Sequence, residues 1–160
     1  MTEFSLRLFP NDAAIRRVGS GLLDRSLPKE EWTHEAHLAA CLWLMRERPR
    51  IVPERDLPGI ISAYNVAIGG ENTDTGGYHE TLTQFYIRAV RAFAATVPAE
   101  ATLTDAVNAM LASGIGPRDL PLRFYSNERL FSVEARHGWI APDNAPLDFA
   151  AHVTRTGARP

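Results

Sequence analysis

Cysteine is almost missing from this chain: Cys41 stands alone among 160 residues, which excludes an intramolecular disulfide framework and fits a reducing compartment. Lysine is as rare, with Lys29 its only instance, so nearly all positive charge is arginine. With a formal net charge of −2, there is no basic footprint for nucleic acid and no lysine-rich tail for a membrane surface. Long apolar runs are lacking too. The longest, residues 38–45, falls far short of the ~20 residues that span a bilayer. The opening Met-Thr-Glu-Phe-Ser has no basic-then-apolar signal pattern. No Gly-x-Ser-x-Gly elbow supports a serine nucleophile, and Gly69-Gly70 and Gly76-Gly77 match neither the P-loop nor the dinucleotide fingerprint. The expectation is a cytoplasmic protein with no nucleic-acid or membrane partner.

What is present describes an ordinary globular chain, with 45% hydrophobic and 22% charged residues. One domain over residues 1–154, followed by a disordered tail at 155–160, accounts for the length. Strand signals are scarce: residues 4–9 alternate too briefly to seed a sheet, and Pro10-Asn11-Asp12 ends them. Helical spacing dominates instead. A first helix is expected over about 12–25, weakened by Gly19 and Gly21. A second over about 34–48, capped by Thr33, carries His34, His37, Leu38, Cys41, Leu42 and Met45 on one face. Pro53 opens a third that Pro58 is expected to kink, and a fourth runs over about 78–97 with His79 in its first turn. Residues 103–112 make a fifth. Beyond Gly114 prolines punctuate short pieces. The fold expected is all-α, a single-domain bundle of four to five main helices with an irregular C-terminal segment packed over it.

The chemistry concentrates at one end of that bundle. His34 and His37 share a helix face, so their imidazoles can converge. Short loops make neighbouring helices antiparallel, which brings the N-termini of the second and fourth helices together. His34, His37 and His79 then form the ligand inventory of an open mononuclear site for a divalent ion: zinc, iron, manganese or nickel. Glu80 or Asp74 would serve as base or as support for a ligand. The glycine-bounded loop 69–77, with Thr73, has the composition of a ligand-facing segment, and Asn65 and Tyr78 flank it. If residues 123–136 fold back over this end, Arg123, Tyr125, Arg129 or Arg136 could grip an anionic substrate; otherwise the arginines stitch the segment to backbone carbonyls and to Glu128 or Glu134. The helix N-termini could also hold an anion with no metal. Glu31-x-x-His34 and Glu134-x-x-His137 fall short of a di-iron pattern, which needs two further glutamates on regular helices. Cys41, Trp32 and Trp43 read most simply as core residues.

Three stretches carry a resemblance: residues 31–38 (EWTHEAHL), 72–83 (NTDTGGYHETLT) and 125–136 (YSNERLFSVEAR). Across about residues 22–147 the chain resembles a family of small uncharacterised bacterial proteins with no assigned activity. That family's pattern includes Thr33, His34, His37, Tyr78, His79, Glu80, Thr81 and Thr83; it usually has a basic residue where Asn127 stands. The resemblance implies that the two histidine motifs form one site. Three functions compete: a metal-dependent enzyme on a small molecule, anionic or not; a metal-free anion-binding module; and an interaction protein whose histidines are structural. A homodimer through an apolar helix face is compatible with each.

Overall fold

The computed structural model describes residues 7–154, so the beginning of the alternating stretch 4–9 and the tail 155–160 lie outside the described residues. Within them the chain is all-α: α1 (Asp12–Asp24), α2 (His34–Glu47), α3 (Pro53–Ala67), α4 (Glu80–Ala94), α5 (Leu103–Ala112), and the short α6 (Asn127–Leu130), α7 (Val133–His137) and α8 (Ala150–Val153). Helix starts follow side-chain chemistry. Asn11 accepts from the Ala14 N–H, Thr33 from Ala36, Thr102 from Asp105, Ser126 from Arg129 and Ser132 from Ala135. Each satisfies a donor that the helix leaves without an intrahelical partner. Arg25 ends α1 in the left-handed region (φ 66°), its N–H reaching the carbonyls of Gly21 and Leu22.

α2 is the centre of the bundle, packed by α1, α3, α4 and α5. The single apolar stripe read from its sequence is therefore incomplete. Ala36, Leu38, Ala39, Ala40, Cys41, Leu42, Trp43 and Leu44 are all buried, on nearly every side of the helix. A helix enclosed all round has no need of a polar face. The two glycines that weaken α1 in sequence have a packing reason. A Cβ on Gly19 would stand 2.1 Å from the buried Trp43 ring, and one on Gly21 would stand 2.8 Å from Leu27 Cβ. The missing side chain of Gly19 lets α1 lie directly on α2, and that of Gly21 lets the chain after α1 fold back on the helix.

Pro58 sits inside α3 and cannot donate to the Glu54 carbonyl four residues back. That carbonyl accepts instead from the Gln84 side-chain amide of α4 (3.1 Å). The Glu54 carboxylate, in turn, takes a two-pronged pair from Arg91 of α4 (2.7 and 2.8 Å). A local defect in one helix thus becomes a bond to the next.

The C-terminal segment winds over α4 as the sequence anticipates. Phe124, Tyr125 and Phe149 close around the buried Phe85 ring, at centroid separations of 5.4–6.3 Å. The buried Thr81 hydroxyl donates to the Gly138 carbonyl (2.8 Å) and accepts from the Ile140 N–H (3.2 Å).

Gly19→Ala sets a helix-propensity gain of about 1 kcal/mol against overpacking of about 1–3 kcal/mol. Because the clash is with an enclosed indole rather than a flexible chain end, overpacking wins. Urea unfolding is expected to show a net loss of about 1 kcal/mol, and an unchanged midpoint would refute this account of the α1–α2 contact.

Candidate functional site

The N-terminal ends of α2 and α4 and the C-terminal half of α3 open on one cavity of about 470 Å³. His34, His37, Leu38 and Cys41 line it from α2, Leu57, Ile61 and Asn65 from α3, and Leu82, Thr83 and Tyr86 from α4. Trp32, Tyr78 and His79 complete the wall. The co-location expected from helix direction is met: His34, His37, Asn65, Tyr78 and His79 share this space. No Asp, Glu, Lys or Arg side chain lines it among the described residues.

Each histidine has one nitrogen against a backbone carbonyl, which can only accept, and this assigns the proton. His34 Nε2 donates to the Gly116 carbonyl (2.8 Å). His37 Nδ1 donates to the Thr33 carbonyl (2.6 Å). His79 Nε2 donates to the Leu130 carbonyl (2.8 Å). The lone pair left over is Nδ1 in His34, Nε2 in His37 and Nδ1 in His79. In His79 it is already engaged, accepting from the Leu82 N–H (3.1 Å). His79 is therefore not inside the first turn of α4 but is its N-cap, buried, with both nitrogens engaged.

As it stands His79 has no lone pair to offer an ion, and among the described residues no three His, Cys, Asp or Glu side chains are grouped to hold one. His34 and His37 keep theirs. The His37 ring stacks on Trp32 (centroids 3.8 Å apart, 28° between planes), and Tyr86 meets His34 edge-on at 5.6 Å. Burial lowers the His34 pKa, partly offset by the Gly116 carbonyl. His37 is reached by solvent through the cavity yet surrounded by protein mass, and burial pushes its pKa down to about 4, with the Thr33 carbonyl opposing. Burial also lowers His79, against the Leu130 carbonyl. The imidazoles are neutral at physiological pH. Burial of the Cys41 thiol pushes its pKa up to about 12, so it faces the cavity as a protonated thiol.

Other residues singled out in sequence stand elsewhere. Glu80 accepts from the Tyr78 hydroxyl (2.5 Å) and from Gln84 (3.2 Å), and does not line the cavity. Asp74 lies on the exposed face of its loop against His137 Nε2 (2.7 Å). The Thr73 hydroxyl accepts from the Thr75 and Gly76 N–H groups and shapes the loop. Gly77 closes that loop with φ +81°, its Cα so near Glu71 and Asn72 that a Cβ would collide with both. Tyr125 is a core residue whose hydroxyl donates to Ile140 (2.7 Å). Arg129 donates to the Ala141 carbonyl (2.6 Å), and Arg136 to those of Gly77 and Tyr78 (3.1 and 3.3 Å). Arg123 is exposed on a 3₁₀ turn. The arginine-rich segment thus follows the stitching alternative at Arg129 and Arg136.

Sequence reading missed the wall formed by Trp32, Tyr86 and Thr83. Its signal was present: Thr83 and Tyr86 follow His79 at four and seven residues, the spacing of one helix face. Comparison with protein-family models, with curated proteins and with solved structures finds no match to this chain.

The dual role of His79 has a measurable consequence. His79→Ala removes a cap and leaves the Leu130 carbonyl without its donor, for an expected loss of about 2–3 kcal/mol. Asn, a good capping residue, should restore about 1 kcal/mol of it at the same position. Equal urea midpoints for His79→Ala and wild type would refute the assignment.

Proposed function

We propose that this chain binds a small, mainly apolar molecule in the cavity between α2, α3 and α4, with His34 and His37 as its polar contact. The observation that carries this reading is the pair itself: two neutral imidazoles one turn apart, each with its proton anchored on a backbone carbonyl, lining an otherwise largely apolar cavity. A volume of about 470 Å³ lies within the ~300–1,000 Å³ typical of small-ligand sites. An anionic ligand is disfavoured, because no Lys or Arg lines the wall and Arg129 and Arg136 serve backbone carbonyls.

A metal-dependent enzyme is the second reading, favoured by the same two lone pairs and by pKa values that keep both rings neutral, as a ligand must be. Two protein ligands are fewer than the three usual in catalytic zinc sites, so substrate or water would complete the shell. Such an ion would polarise a bound water or substrate oxygen. The resemblance to small bacterial proteins bearing both histidine motifs is compatible with either reading.

N-phenyl-1-naphthylamine, an uncharged fluorophore, is the first probe. Its fluorescence should rise saturably near one equivalent, and Asn65→Trp or Thr83→Trp, which fill the cavity from its wall, should abolish the rise. No saturable rise, or an equal rise in both filled variants, would overturn the cavity reading. Zinc retained at one equivalent after desalting, and lost in His34→Ala and His37→Ala, would establish the second reading instead.

A further inference from the structure

We infer that the ligand of this cavity is an uncharged molecule that brings its own hydrogen-bond donor, such as a phenol or other aromatic alcohol, to the lone pairs of His34 and His37. The inference rests on the reading that the cavity is a ligand site, and it narrows the class of ligand from the direction of the hydrogen bonds in the wall.

Donors in the wall are largely committed to the protein. The Tyr78 hydroxyl donates to Glu80 (2.5 Å), the Thr83 hydroxyl to the His79 carbonyl (2.9 Å) and the Asn65 amide to Asn72 Oδ1 (3.1 Å). All three histidine N–H groups face backbone carbonyls. The side-chain donors that remain are the Trp32 indole N–H, the second Asn65 amide proton, the weak Cys41 thiol and the Tyr86 hydroxyl, whose bond to the Arg118 carbonyl is long at 3.5 Å. Acceptors remain where it matters most, on two imidazoles that can neither rotate nor change tautomer without breaking a bond to a carbonyl. A carboxylate or phosphate would enter a space with no cationic side chain and would meet acceptor lone pairs on both imidazoles, a like-polarity contact. A purely apolar molecule would displace water from both imidazoles and return nothing. A hydroxyl answers both, donating to one ring while the aromatic body lies among Trp32, Tyr86 and the aliphatic wall.

Four naphthalenes of nearly one size separate the outcomes: 2-naphthol, 2-methoxynaphthalene, naphthalene and 2-naphthoate, titrated by calorimetry at pH 7. The hydrogen bond gained supports an expected preference for 2-naphthol over naphthalene and 2-methoxynaphthalene of about tenfold. 2-Naphthoate should bind weakest. His37→Phe, which keeps a ring against Trp32 and removes the acceptor, should reduce the preference for 2-naphthol to about twofold. If that variant melts well below wild type, the wild-type contrast between 2-naphthol and 2-methoxynaphthalene decides alone. Equal affinities for those two would overturn the inference while leaving the cavity reading intact, and tightest binding of 2-naphthoate would overturn it in favour of an anion. Binding of none of the four would remove the cavity reading and the inference with it.

Discussion

A single imidazole, that of His79, joins two parts of the chain that are 51 residues apart. Its Nδ1 satisfies the first turn of α4, and its Nε2 holds the carbonyl of Leu130. Because one neutral tautomer serves both bonds, the beginning of α4 and the end of α6 cannot separate without leaving a buried polar group unpaired, a cost of about 1–3 kcal/mol each. The neighbours repeat the pattern. Arg136 holds Gly77 and Tyr78, Thr81 holds Gly138 and Ile140, and His137 meets Asp74. The stretch 72–83 and the stretch 125–140 are therefore two halves of one joint. That joint fixes the end of α4 that faces α2, and the cavity wall depends on it.

Backbone carbonyls organise the other two histidines in the same way but with a different outcome. The Thr33 carbonyl takes the Nδ1 proton of His37 and the Gly116 carbonyl takes the Nε2 proton of His34. An acceptor that cannot donate leaves the ring no choice of tautomer, and desolvation by the surrounding protein lowers both pKa values. What distinguishes His34 and His37 from His79 is that, among the described residues, no N–H answers their second nitrogen. Three histidines drawn from similar motifs thus divide into one that is structural and two that remain open toward the cavity.

Much of this was legible in sequence. The Thr33 cap, together with apolar spacing, located the five long helices to within a few residues, and the alternation of helix direction brought His34, His37, Asn65 and His79 to one end. What sequence could not convey was which nitrogen His34 and His79 would present, since that depends on carbonyls of residues 116 and 130, far along the chain. The first-turn placement of His79 failed for a related reason: histidine is an uncommon N-cap, and periodicity alone does not tell a cap from the residue after it. The arginines of residues 123–136 were ambiguous because an irregular segment needs donors for its own carbonyls as much as a ligand would. The role of α2 as an enclosed central helix was hidden too, since a helix buried on every side has no stripe to read.

The division of labour among the histidines is the claim on which the rest depends, and the ring nitrogens report it directly. Two-bond ¹H–¹⁵N correlation spectra of the histidine side chains at pH 7 should show His34 and His79 as the Nε2–H tautomer and His37 as Nδ1–H. On acidification His37 should stay neutral to about pH 4. Rings that average between tautomers, or a His37 that titrates near the ordinary value of 6.5, would contradict the account, because the carbonyl anchors would then not hold.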